Sequence, residues 1–168
     1  MLNDPKKPLC IFMIGIPYSG KSTFIANNEW LSSMPIVSVD DEVMRLSGDD
    51  YTQWAVVIEE AALAADLKIE KLIERKASFV IDKTNLAALE RQKTLRLLKR
   101  AGYQTAAIVF PLPNEQTLQK RMAKRSEKMI PLDVLQRMTE LYRQDLKTLN
   151  QEFDAVLKLE ATGLQVKK

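Results

Sequence analysis

The sequence predicts an α/β protein, a three-layer sandwich in which a central parallel sheet is flanked by helices. Three observations carry that expectation. Short apolar runs of strand length alternate with stretches of helical periodicity along the whole chain, the pattern that lays strands in parallel with helices as crossovers. The first run, Leu9-Cys10-Ile11-Phe12-Met13-Ile14, is unbroken rather than alternating, as expected of a strand covered on both faces. It passes directly into Gly15-Ile16-Pro17-Tyr18-Ser19-Gly20-Lys21-Ser22, which meets the phosphate-loop pattern G-x-x-x-x-G-K-[ST] at every fixed position. At 168 residues, the chain reads as one domain over 1–168, long enough to bury a core.

The elements follow in order. After the first strand, Lys21 to Asn28 starts a helix on the loop. Ile36-Val37-Ser38-Val39 is a short strand stopping at Asp40-Asp41, and a short helix covers Asp41 to Leu46. From Tyr51 to Lys76 the apolar residues Trp54, Val57, Ile58, Ala61, Ala65, Ile69, Leu72 and Ile73 recur at helical spacing. Phe79-Val80-Ile81 is the third strand, ending at Asp82. A helix over Leu86 to Ala101 follows, closed by Gly102 as a C-cap. Thr105 to Phe110 is the fourth strand, stopped by Pro111 and Pro113. Asn114 caps a basic helix reaching Arg125, and Pro131 opens another at its first turn. Asp154 to Leu159 is a last, edge-type strand. No internal repeat, low-complexity tract or linker interrupts the series.

Composition narrows the classes of function. The chain is 46% hydrophobic and 28% charged, ordinary for a globular protein. No apolar stretch approaches the roughly 20 residues that cross a bilayer, so no membrane role is expected. The N-terminal residues lack signal-peptide anatomy. Cys10 is the single cysteine, which rules out an intrachain disulfide and suits a reducing, cytoplasmic setting. Its place in the apolar run predicts a buried hydrophobe, not a reactive thiol. Histidine is absent, so any acid–base step falls to a carboxylate. A net charge of +3 does not by itself argue for nucleic acid.

Each position of the loop has a separate task. Glycine lets the backbone turn so that several N–H groups face one phosphate chain. Lys21 sets an ammonium against the outer phosphates, and the Ser22 hydroxyl is a ligand for Mg²⁺. The stretch Gly15, Pro17, Tyr18, Ser19, Gly20, Lys21, Ser22 and Thr23 is therefore the expected ATP (or other nucleoside triphosphate) site, with Mg²⁺ as its companion ion. Ligands of parallel sheets sit at the carboxyl ends of strands, where Asp40 and Asp82 fall. Either aspartate could instead cap a helix. Position relative to the loop favours catalysis for Asp40 and capping for Asp41. A third signal is Leu118 to Arg125, where Arg121 and Arg125 share one helix face. Lys120, Arg121, Lys124, Arg125 and Lys128 are opposed by Glu127 alone. That suits a lid over about 121–131 bringing guanidinium groups onto a transferring phosphoryl group. It also suits a patch for an anionic partner.

The ordered set resembles the 5′-hydroxyl polynucleotide kinases of phage and animals and the related small P-loop kinases. The matching pieces are Gly15 to Thr23, Val37 to Asp41, Val80 to Leu86, Lys120 to Arg125 and Ile130 to Met138, within a likeness spanning about residues 9–159. The resemblance implies a P-loop kinase-type fold with an Arg-bearing lid. It also implies ATP-dependent transfer to the 5′-hydroxyl end of DNA or RNA. By the same resemblance, Asp40 matches the general base, Lys21 and Ser22 the phosphate lysine and the Mg²⁺-associated hydroxyl. Arg121 matches the arginine on the transferring group, Arg125 a second lid arginine on the donor nucleotide, and Asp82 a water-mediated Mg²⁺ ligand.

Three positions depart from the family pattern. Tyr18 stands where the family usually has a second loop glycine; a positive φ there would cost energy, whereas a regular conformation would let the ring line the substrate mouth. Val43 replaces an acceptor-contacting arginine of the phage member, with Arg45 as the available substitute. Lys83 replaces an aspartate of that member. No D-x-D-G-T phosphatase signature is present. The same core also serves kinases of small-molecule alcohols, nucleosides and nucleotides. A non-catalytic nucleotide-binding module is the remaining alternative, although a binder has no need for a base at Asp40.

Overall fold

The structure, a computed structural model, describes residue 4, residues 6–125 and residues 130–160. Five strands form one sheet: β1 (Leu9–Ile14), β2 (Ile36–Ser38), β3 (Phe79–Asp82), β4 (Gln104–Val109) and β5 (Ala155–Lys158). Their order is β2-β3-β1-β4-β5 and every pairing is parallel. β1 lies at the centre, with Ile11 level with Val80 on one side and Ala106 on the other. Its alternate residues explain the unbroken apolar run. Cys10, Phe12 and Ile14 belong to one core layer with Phe79, Ile81, Tyr103 and Phe153. Ile11 and Met13 belong to the other, with Ile25, Leu31, Val80 and Ile108. Each large side chain so buried contributes about 1.5–3 kcal/mol, and Phe12 meets Phe153 edge to face at 5.1 Å. Cys10 is fully buried and its thiol pKa is pushed up by desolvation, as a structural cysteine should be.

The helices are α1 (Lys21–Ala26), α2 (Glu29–Ser32), α3 (Val39–Ser47), α4 (Trp54–Glu74), α5 (Ala88–Arg100), α6 (Glu115–Ala123), α7 (Leu132–Asp145) and α8 (Leu149–Glu152). Along α4 the residues Ala61, Ala65 and Ile69 are buried as the periodicity predicts, whereas Trp54 at its start is 43% exposed. Gly102, at φ 80, follows the C-terminus of α5, and its N–H and that of Tyr103 donate to Lys99 O and Leu98 O. β5 is an edge strand, as expected.

Several boundaries differ from the sequence-based expectation. β2 ends at Ser38 rather than Val39, because Ser38 caps α3: its Oγ accepts from Asp41 N at 3.2 Å. Asp41 is therefore not the cap; Asp40 and Asp41 both lie inside the first helical turn. Tyr51 to Gln53 form a 3-10 turn ahead of α4, capped by Asp50. α1 stops at Ala26, and Asn28 starts the separate α2, its side chain accepting from Leu31 N. Pro131 sits just outside α7 rather than in its first turn. No helix among the described residues is long and apolar enough to cross a membrane.

Candidate active site

The phosphate loop folds as its glycines demand. A Cβ on Gly15 would stand 2.7 Å from Ser19 Oγ and 3.0 Å from Phe110 Cβ, so a side chain there would have to displace the Ser19 hydroxyl and crowd Phe110. Gly15 N donates to Thr84 O at 3.1 Å, tying the loop to the segment after β3. Gly20 has φ 104 and Tyr18 has φ 63. Tyr18 thus occupies the left-handed region and not a regular conformation, yet its half-buried ring lines the cleft all the same. The buried Lys21 donates from Nζ to Gly15 O and Ile16 O, each at 3.0 Å, bending back across the concave side of the loop. Ser19 Oγ is buried and unpaired. An anion in the loop would satisfy such a hydroxyl, and the turned backbone with the Lys21 ammonium supplies the positive lining.

Carboxylates and arginines approach this loop from three other elements. Ser22 Oγ, in the first turn of α1, donates to Asp82 Oδ2 at 2.8 Å, joining α1 to the end of β3. Asp82 has a raised pKa. Burial is the largest cause, opposed by the Ser22 hydrogen bond and the Lys21 charge and reinforced by Asp40 and Asp41. Asp40 points from α3, where Tyr51 Oη donates to its Oδ1 at 3.0 Å. Arg121 reaches from α6, donating from Nη1 to Tyr18 O at 2.6 Å, with its guanidinium over Gly20. Tyr18, Ser22, Asp40, Tyr51, Asp82 and Arg121 line one cleft of about 1470 Å³, together with Pro17, Ser19, Gly20, Lys21, Thr23 and Arg125. Gly15 is buried and is not among the residues lining the cleft.

Ser22 and Asp82 supply one hydroxyl and one carboxylate. Among the described residues no group of three or more acidic or sulfur ligands converges on a point. That set fits Mg²⁺, which takes one or two protein oxygens and completes its shell with water and substrate phosphates.

Val43, at the position of the phage member's arginine, is fully buried. Arg45 pairs with Glu42 on its own helix at 2.7 Å and is not among the residues lining the cleft. Lys83 does line the cleft, and its Nζ is 2.7 Å from Asp66 Oδ1. Of the basic run, Lys124 and Arg125 line the cleft, and Arg125 is close enough to Tyr51 for its charge to act on the phenol. Glu127, Lys128 and the middle of the anticipated lid fall outside the described residues.

Sequence reading missed the residues that hold these groups in place. Asn85, at φ 50, donates from Nδ2 to Met13 O at 2.8 Å and Ile81 O at 3.3 Å, bridging the ends of β1 and β3. Arg91, buried in α5, donates to Asn85 O, Leu86 O and Asp145 O and makes a two-pronged pair with Glu152. An asparagine tolerating positive φ after a strand is a usable signal; a lone arginine in a polar helix is not.

Comparison with known proteins agrees with this architecture. A family model described as an AAA domain, AAA_33, matches residues 10–144. No curated protein matches the chain. Among solved structures, a chain from the PezAT chromosomal toxin–antitoxin system of Streptococcus pneumoniae is similar with a TM-score of 0.76 and 15% identity, over 99% of this chain and 73% of that one. A chain from the Pnkp1/Rnl/Hen1 RNA repair complex gives 0.65 and 23%, over 91% of this chain and 48% of that one, so this chain spans about half of it. Shikimate kinase from Acinetobacter baumannii, in complex with shikimate, gives 0.58 and 17%, over 92% and 85%. At such identities these likenesses show the fold. With the sheet order and the loop already in hand, the match over residues 10–144 means that this chain belongs to the AAA_33 family of AAA domains and has a fold of P-loop kinase type.

Proposed function

We propose that the chain, acting as one domain, transfers the γ-phosphoryl group of ATP to an alcohol, and that the first acceptor to test is the 5′-hydroxyl end of a polynucleotide. The observation that carries this reading is the convergence of Lys21, the Ser22–Asp82 pair, Asp40 and Arg121 on one cleft. In it, the loop N–H groups and Lys21 bind the phosphates of the donor. Ser22 and Asp82 hold Mg²⁺, which when bound neutralises charge on the outer phosphates. Asp40 orients the acceptor hydroxyl and accepts its proton as the oxygen–phosphorus bond forms. The bond to the β–γ bridging oxygen breaks, and its electron pair leaves on ADP. Arg121 meets the charge spread over the transferring group, and Arg125, in the turn after α6, steadies the donor. Such transfer depends on positioning and charge neutralisation more than on covalent chemistry, which is why so few side chains suffice.

The polynucleotide acceptor rests on the motif resemblance and on the aromatic side chains Tyr18, Tyr51 and Trp54 lining the cleft, surfaces on which a base can stack. A small-molecule alcohol is the second reading, favoured by the acceptor-side cations: Arg45 is turned to Glu42 and Lys83 is engaged by Asp66. The test is an assay with γ-labelled ATP and Mg²⁺ on 5′-hydroxyl DNA and RNA oligonucleotides beside nucleosides, nucleotides and small alcohols. Label on an oligonucleotide end supports the first reading and label on a small alcohol the second. Tight ATP binding with no transfer to any acceptor would leave a binding module.

Two variants probe the roles separately. Arg121→Ala is expected to lower kcat by about 10²–10³-fold, the usual loss when one donor to a developing charge is removed, with ATP affinity little changed. A fall in affinity alone would make Arg121 a grip on the ground state. Tyr18→Ala keeps the cost of positive φ and removes only the ring. It should raise the acceptor KM about 5- to 100-fold if the ring stacks on a base, and leave the KM for ATP unchanged.

A further inference from the structure

The turn between α3 and α4 has a construction that the transfer reading leaves unexplained. Gly48 and Asp49 are successive left-handed residues, each at φ 67, and Asp49 N donates to Met44 O at 2.8 Å. The chain therefore folds back sharply at the end of α3. Asp50 then caps the 3-10 turn, accepting from Thr52 N at 3.0 Å. Two special backbone positions and a cap thus bring residue 51 against residue 40, with Tyr51 Oη 3.0 Å from Asp40 Oδ1. Tyr51 is half-buried and lines the same cleft as Asp40.

We infer that Tyr51 is a positioning residue for Asp40: its phenol holds Oδ1 and so orients the carboxylate toward the acceptor hydroxyl. The inference rests on Asp40 acting as the base. A carboxylate turns easily about its terminal torsion, where the wells are broad, and a directional donor on one oxygen removes that freedom. The partner is suited to the task. Burial first, and the Asp40 charge next, raise the Tyr51 pKa, so the phenol is protonated at neutral pH; Tyr18 adds to this and Arg125 opposes it. A protonated phenol can donate to Asp40 without competing for the acceptor's proton.

The experiment is a double-mutant cycle on the full chain in the transfer assay. Tyr51→Phe, which removes one oxygen and keeps the ring, should lower kcat about 10- to 100-fold, the range for a hydrogen bond to a charged group. The KM values for ATP and acceptor should stay near normal. In an Asp40→Asn background the same change should matter less than about twofold, because the group it serves is gone. Multiplying effects, or a normal kcat in Tyr51→Phe, would overturn the inference. Full activity in Asp40→Asn would instead overturn the base reading. The contact can also be read without turnover. In protein labelled with 3-fluorotyrosine, the ¹⁹F resonance that Tyr51→Phe deletes should move in Asp40→Asn, and a resonance that stays in place refutes the contact whatever the acceptor.

Discussion

Asp40→Asn is expected to lower kcat for transfer by about 10²–10⁴-fold, the contribution typical of a positioned general base, while ATP binds nearly as before. The separation follows from where the residue sits. Asp40 stands in the first turn of α3, outside the phosphate loop, and neither the Lys21 contacts to Gly15 and Ile16 nor the Ser22–Asp82 bond passes through it. Asparagine keeps the shape and can still accept from Tyr51, so the fold should be preserved. What it cannot do is take a proton. No histidine exists in the chain to substitute. Steady-state rates beside ATP titration of the same protein decide the matter. An equal loss of affinity and turnover would place Asp40 in nucleotide binding instead.

Arg91→Ala is expected to cost about 3–5 kcal/mol of stability, the range for removing one partner of a buried ion pair. For a chain of this size that is a drop of about 6–20 °C in Tm. The guanidinium is fully enclosed and Glu152 nearly so. Truncation would leave the Glu152 carboxylate with Thr148 but without its ion pair, and would remove a donor from the carbonyl oxygens of Asn85, Leu86 and Asp145. Burial tends to raise the Glu152 pKa, but the bonds from Arg91 and Thr148 and the nearby Lys99 outweigh it and leave it lowered. A lowered acid supplies stability above its unfolded pKa and loses it as pH falls through the folded value. The wild-type advantage over Arg91→Ala should therefore narrow in acid. Denaturant unfolding of both proteins across pH measures this; a difference under about 1 kcal/mol at neutral pH would mean that the site collapses around the gap.

The pair also bears on the site. Arg91 grips the chain at Asn85 and Leu86, and Asn85 grips Met13 and Ile81, so the segment carrying Asp82 is clamped at both ends. The Arg91 half of this clamp was not legible along the sequence. An arginine contributes a charge to a helix, and only the approach of α8 from 61 residues away turns that charge into a buried clamp.

The strands were legible because apolar runs of that length have few other uses, and the phosphate loop because its tasks require particular residues at particular spacings. Asp40 and Asp82 were legible for a different reason: parallel sheets put strand ends on one side, so position in the chain implied position in space. Capping by Ser38 was missed because Ser38, Asp40 and Asp41 are all good cap residues within four positions, and only the strand's end decides among them. The partner of Arg45 was not foreseen either: Glu42 lies three residues before it on the same helix and pairs with its guanidinium.

The sequence by itself thus determined the class of fold, the phosphate loop and the side of the sheet on which chemistry would gather. These depend on local periodicity and on contacts between neighbours in the chain. The tertiary structure alone decided that Tyr51 donates to Asp40, how Arg121 rests on the carbonyl of Tyr18, and that Tyr18 itself is left-handed. Each of those depends on groups brought together from distant elements at hydrogen-bond range, where a shift of an ångström makes or breaks the contact.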